Sequence, residues 1–247
     1  MRNSLLFSTL FLFVVFSCNT GTQPKNDEKR PVSENEARIK KAYYDNGTLK
    51  SEITIKNKRK NGPAKKYYTT GELHTLVHYV NNIKEGEAVW YYKNGQPYRI
   101  TPYKNNRIHG VRKMFYDDGI LMAEVPYQMG IPQPGLKEYN KNGELLTNYP
   151  ELVFSARDLI AEENLYILQC RLSNRSPRVK FYQKVKGTDG KERLVELPAK
   201  NGVVSLEFHV PARIRDTKTI TIYARMKSTL GNPYITKSSY TFSLDTY

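Results

Sequence analysis

Gly47, Gly71, Gly95, Gly119 and Gly143 follow one another at intervals of 24 residues. Each is preceded by a polar pair: Asp45-Asn46, Thr69-Thr70, Lys93-Asn94, Asp117-Asp118 and Lys141-Asn142. One residue type kept in one phase through four steps means that a single backbone unit is being reused, and glycine takes positive φ at no steric cost. Before each turn stands an aromatic pair, Tyr43-Tyr44, Tyr67-Tyr68, Tyr91-Tyr92 and Phe115-Tyr116, decaying to Tyr139-Asn140. Two residues after each glycine comes Leu49, Leu73, Pro97, Leu121 or Leu145, while Ile55, Tyr79, Tyr103 and Tyr127 form a further column and Gly62, Gly86 and Gly110 a second glycine column.

This pattern predicts hairpins. Asn-Gly, Asp-Gly and their relatives supply the tight β-turn, and the flanks alternate and are rich in Tyr, Val, Ile and Thr. Each unit then holds two strands of about seven or eight residues, and consecutive strands pair antiparallel in a sheet that grows by about 10 Å per unit. A helical unit of this length would leave glycine in mid-helix and the period-2 alternation without a cause. Because side chains alternate across a strand, Tyr44, Tyr68, Tyr92 and Tyr116 align on one face and Tyr43, Tyr67, Tyr91 and Phe115 on the other. In the last unit Pro134 replaces the second glycine beside Pro132, and proline cannot donate to a ladder, so this unit is expected to cap the array against pairing with another molecule.

The recurrence of Tyr-x-Asn-Gly-x-Leu with a second glycine between, over about residues 40–147, resembles the MORN-repeat-variant family of bacterial proteins, often labelled antitoxin-like. The resemblance implies an elongated single-layer β-sheet used for binding, with no catalytic residues attached to the motif. Its label implies a toxin as partner.

Upstream, Met-Arg-Asn precedes an apolar run from Leu5 to Phe16 and then Ser17-Cys18, the order of a secretory signal. The run is too short to span a bilayer comfortably. Val15-Phe16-Ser17-Cys18 resembles the bacterial lipobox, in which the cysteine becomes the first mature residue and carries acyl chains. Residues 1–18 are therefore read as a lipoprotein signal with lipidation at Cys18, and residues 19–37, polar and poor in large apolar groups, as a disordered tether. The address implied is the bacterial cell envelope, anchored to a membrane without spanning it, the outer membrane if the source is Gram-negative.

After residues 38–149, the repeat array, the period vanishes at Tyr149-Pro150. Seven short alternating segments fill residues 150–247, separated by Asp189-Gly190, Asn201-Gly202 and Gly231-Asn232-Pro233, and they suggest an immunoglobulin-like β-sandwich. The fold class expected is all-β: a single-layer antiparallel meander followed by that sandwich. Only Cys18 and Cys170 are present; alternation places Cys170 with Tyr166, Leu168 and Leu172 on one face, as a small core residue.

Candidate chemistry is sparse. His74 and His78 would stand roughly 13 Å apart on a strand, too far for one metal ion, and Asp117-Asp118 and Asp45-Asn46 fill slots that turns assign to Asp and Asn. No catalytic residues, metal site or cofactor are expected, and the protein is read as a non-enzyme. The net charge of +15 is spread out, and in an exported protein it points to anionic lipid, envelope polysaccharide or an acidic protein rather than nucleic acid. The candidate ligand-binding residues are Tyr44, Tyr68, Trp90, Tyr92 and Tyr116, with Trp90 on the Tyr92 face. The function expected is a membrane-anchored binding or scaffold module with a protein partner; the alternatives are an antitoxin or immunity protein and a glycan-binding module.

Overall fold

The computed structural model describes residues 36–246. The expected signal segment with Cys18, and the expected tether up to residue 35, lie outside the described residues.

The repeats build one twelve-stranded sheet in which consecutive strands lie edge to edge. Arg38–Tyr43, Leu49–Lys56, Arg59–Tyr67, Leu73–Val80, Gly86–Tyr91, Pro97–Lys104, Gly110–Phe115 and Leu121–Gln128 follow in chain order. The last rung is split into Ile131–Pro132 and Lys137–Glu138, both paired to Leu121–Gln128. All these pairings are antiparallel.

Two kinds of turn alternate. At the first, the amide of Gly47 donates to the Tyr44 carbonyl at 2.9 Å and Tyr44 donates to Thr48 at 2.8 Å, with Gly47 at φ +82°. Tyr68–Gly71, Tyr92–Gly95 and Tyr116–Gly119 repeat the arrangement. This is a three-residue hairpin whose positive-φ residue adds a bulge. In register, Ala42 faces Ser51 but Tyr43 faces Leu49, so Lys50 is the extra residue; His74, Tyr98 and Met122 hold the same place in the following units.

The second turn is carried by Asn57-Lys58, Asn81-Asn82, Asn105-Asn106 and Met129-Gly130, each with positive φ at both positions, as a two-residue hairpin of matching twist requires. The second glycine column is not this turn. Gly110, at φ +114°, lies beside it in the strand, and a Cβ there would sit 3.0 Å from Cγ of Pro102.

The prolines do interrupt the last rung, but the edge is closed by the chain itself: Leu146 donates to the Glu138 carbonyl at 2.7 Å. The rung also meets the second half of the molecule. Glu138, 1 % exposed, accepts from Tyr149 at 2.9 Å, Ser228 at 2.6 Å and Nδ2 of Asn232 at 2.7 Å. Tyr149 stacks on Tyr234 with ring centroids 4.8 Å apart.

The second half is a β-sandwich. Leu152–Leu159, Leu165–Leu172, Val203–His209 and Ala199–Lys200 form one sheet in that order; Glu192–Leu197, Lys180–Lys186, Arg215–Lys227 and Pro233–Asp245 form the other. Read as A-B-E-D against C′-C-F-G, this is the immunoglobulin-like arrangement. Its core joins Cys170, Leu172 and Val204 from the first sheet to Phe181, Ile222 and Ala224 from the second. A second cluster sets Tyr166 against Phe242, stacked at 4.4 Å. A one-turn helix, Ile160–Glu163, closed by Asn164 in the left-handed region, joins the first two strands.

Candidate functional site

The array's two faces are built differently. Cross-strand partners draw one line over the sheet, Lys66, Thr75, Trp90, Arg99, Met114, Ala123 and Glu138. Along and beside it lie small or short buried residues, among them Thr75, Ala88, Thr101, Ala123 and Val125. A single layer has no second sheet to cover such positions, so large side chains rooted on either side must roof them.

One roof is the row Tyr44, Tyr68, Tyr92 and Tyr116. Each hydroxyl reaches into the next unit and donates to a backbone carbonyl: Tyr44 to Tyr67 and Tyr68 to Tyr91 at 2.7 Å, Tyr92 to Phe115 and Tyr116 to Tyr139 at 2.8 Å. The bulge residues pack on the same rings. Lys50 lies 5.4 Å from the Tyr44 centroid, His74 at 4.5 Å from Tyr68 and Tyr98 at 5.5 Å from Tyr92. A bulge re-aims one side chain, and here it aims that side chain at the tyrosine row. Burial raises the Tyr92 hydroxyl above its ordinary pKa, with Asp117 adding to the effect. What these four tyrosines leave to a ligand is ring surface, over which Lys93 and Lys141 reach Tyr68 and Tyr116 at 5.8 and 6.0 Å.

The other roof is the row Tyr79, Tyr103 and Tyr127. Lys60 and Lys84 cover the first two at 5.1 and 5.0 Å, and Arg112 covers the third at 4.7 Å while Nη1 donates to its hydroxyl at 3.1 Å. Between the two roofs stands Trp90, with the Arg99 guanidinium 4.1 Å from its ring and 5.3 Å from that of Tyr98. A cation this close to a ring is attracted through the ring quadrupole, which holds the guanidinium over the indole.

The opposite face carries Tyr67, whose hydroxyl donates to Glu52 at 2.9 Å, and Tyr139, directed at Glu124 at 3.4 Å. Of the two equivalent pairs between them, Leu76 with Tyr91 lacks the carboxylate and Ile100 with Phe115 lacks both groups. Tyr43, on the edge strand, is 58 % exposed.

The structure thus brings Trp90 together with Arg99, Tyr98 and Tyr92, whereas Tyr44, Tyr68 and Tyr116 are spread over successive units. Sequence reasoning missed Arg99 and Arg112. A comparison of every column at the 24-residue spacing, not only the aromatic ones, would have found them. Cys170 is 1 % exposed, and burial pushes its thiol up to about 12. His74 is packed on Tyr68 and His78 is exposed. On the sandwich, an open cleft of about 1070 Å³ is lined by Arg178, Lys180, Arg225 and Lys227 without a carboxylate; Lys180 is held by Glu196 at 3.0 Å.

Turns at both ends of every strand pair, glycines in a fixed phase and one tyrosine row bonded from unit to unit define a tandem β-hairpin repeat protein. Residues 39–57, 60–81, 84–105 and 108–129 match the family model described as MORN repeat variant, so the array contains four tandem MORN-variant repeats. No curated protein matches the chain.

Proposed function

We propose that the protein is a non-enzymatic binding module of the bacterial cell envelope, held at a membrane through lipid on Cys18, with the repeat sheet as its recognition surface and an acidic protein as partner. The observation that carries this reading is the cluster of Trp90, Arg99 and Tyr98 in the middle of the sheet, flanked by lysine-covered tyrosines. Aromatic and arginine side chains held in place are the residues that dominate protein interfaces. Side chains already packed on one another lose less freedom on binding. The basic cleft of the sandwich adds charge of the same sign, which favours an acidic partner.

The test is chemical crosslinking in intact envelopes followed by mass spectrometry. A reproducible partner is expected from the native chain and a loss of most of it from Trp90→Ala. Recovery of no partner, or sedimentation of the purified chain with envelope polysaccharide instead, counts against the protein-partner reading. Cys18→Ala should move the protein from the membrane fraction to the soluble one; a variant that stays with membranes removes the lipid anchor from the account.

A further inference from the structure

At one place the columns under the roofs change character. At the 24-residue spacing, one column reads Ser51, Thr75, Arg99 and Ala123; its neighbour reads Ile53, Val77, Thr101 and Val125; a third reads Ala64, Ala88, Arg112 and Leu136. All three breaks, Arg99, Thr101 and Arg112, fall on two neighbouring strands, Pro97–Lys104 and Gly110–Phe115. Across the strands Arg99 pairs with Met114 and Ile100 with Lys113, and one further step in that register sets Thr101 opposite Arg112. The three therefore stand on one face of these two neighbouring strands.

The same three residues hold the buried polar atoms that find no hydrogen-bond partner among the described residues: Nε of Arg99, Oγ1 of Thr101 and Nε of Arg112. Buried donors are almost always satisfied, and each exception calls for a cause. Neither guanidinium is paired with a carboxylate among the described residues. Arg112 supplies Tyr127 with the cation that Lys60 and Lys84 give the earlier tyrosines, since the equivalent position is Ile108. That explains one ring contact. It explains neither the unpartnered Nε groups nor Arg99.

We infer that Arg99, Thr101 and Arg112 form a receptor for an oxyanion group, carboxylate or phosphate, carried by a ligand on this face of the array. The Nε–Nη edge of a guanidinium is a planar two-donor fork matched to such a group. Trp90, Tyr98 and Tyr127 support the two forks, and the threonine hydroxyl adds a further donor. This deepens the reading of the array as the binding surface and rests on it.

The test is thermal melting of the full chain in sodium phosphate, sodium glucuronate and sodium chloride at matched ionic strength. One of the two oxyanions should raise the melting temperature by about 5–10 °C at a hundredfold excess over its Kd, and which one does so names the group. The variant Arg99→Thr, Thr101→Val, Arg112→Ala restores residues that the columns use elsewhere. It should melt at or above the native chain in chloride and show no oxyanion shift. The inference is overturned if neither oxyanion exceeds chloride, if the variant keeps the shift, or if it melts lower in chloride, which would make the three residues structural. A variant that loses the shift yet still captures the envelope partner leaves the array reading standing and detaches the oxyanion from it.

Discussion

Tyr92 shows how a single hydroxyl ties one repeat to the next: its bond to the Phe115 carbonyl crosses the boundary between units. Tyr92→Phe leaves that carbonyl without its partner and should cost about 1 kcal/mol in urea unfolding, whereas Tyr43→Phe on the exposed edge should cost nothing measurable. Glu52 supplies a pH signature. The Tyr67 hydroxyl, helped by Lys41, holds its carboxyl below the ordinary value. A depressed folded pKa contributes stability above the unfolded value that is lost as pH falls through the folded one, so Tyr67→Phe should flatten the acid limb of the stability profile. A profile unchanged in shape would contradict this. Cys170 should resist alkylation at pH 8 until the chain is unfolded, because burial holds the thiol protonated. Its core position could be read from the alternation of Leu165–Leu172. The tyrosine hydroxyl partners could not, because they depend on how one unit registers against the next.

At the scale of the element, the turns hold the array together along its edges. Nδ2 of Asn94 reaches the Asp117 carbonyl at 2.7 Å. On the other edge Oδ1 of Asn106 accepts from the Lys84 amide at 2.8 Å while the Asn106 amide donates to the Lys84 carbonyl at 3.1 Å. Two glycines separate the two costs of adding a side chain. At Gly95, φ is +83° and nothing lies within 4 Å; at Gly110, φ is +114° and Pro102 lies at 3.0 Å. Gly95→Ala should therefore cost about 1–2 kcal/mol, the price of the left-handed backbone alone, and Gly110→Ala more; equal costs in denaturant melts would contradict the packing of that strand. The first turns and the strand lengths were legible because glycine marks them in phase. The bulge at Lys50, His74, Tyr98 and Met122 was not, because those four residues share no chemistry and only their place in the register unites them. Two strands per unit require a second turn as well, and Asn81-Asn82 and Asn105-Asn106, which recur at the same period and favour positive φ, supply it.

For the molecule as a whole, the junction at Glu138 decides whether array and sandwich unfold together. Glu138→Ala strips Tyr149, Ser228 and Asn232 of a shared acceptor, and buried donors left unpaired cost about 1–3 kcal/mol each at most, so the single melting transition expected of the native chain should fall and split in two. Composition and period announced both halves of the fold but not this contact. Glu138 stands in the column of Lys66, Trp90 and Met114, where nothing local singles it out. Binding of a partner on the face that carries Trp90 distinguishes the two faces of the array. Photocrosslinking groups placed at Lys66, in line with Trp90, and at Lys113, exposed on the opposite face, read out that difference in intact envelopes. An adduct of one discrete mass from position 66 and none from position 113 is the predicted result; adducts from 113 alone, or from both positions equally, would contradict it.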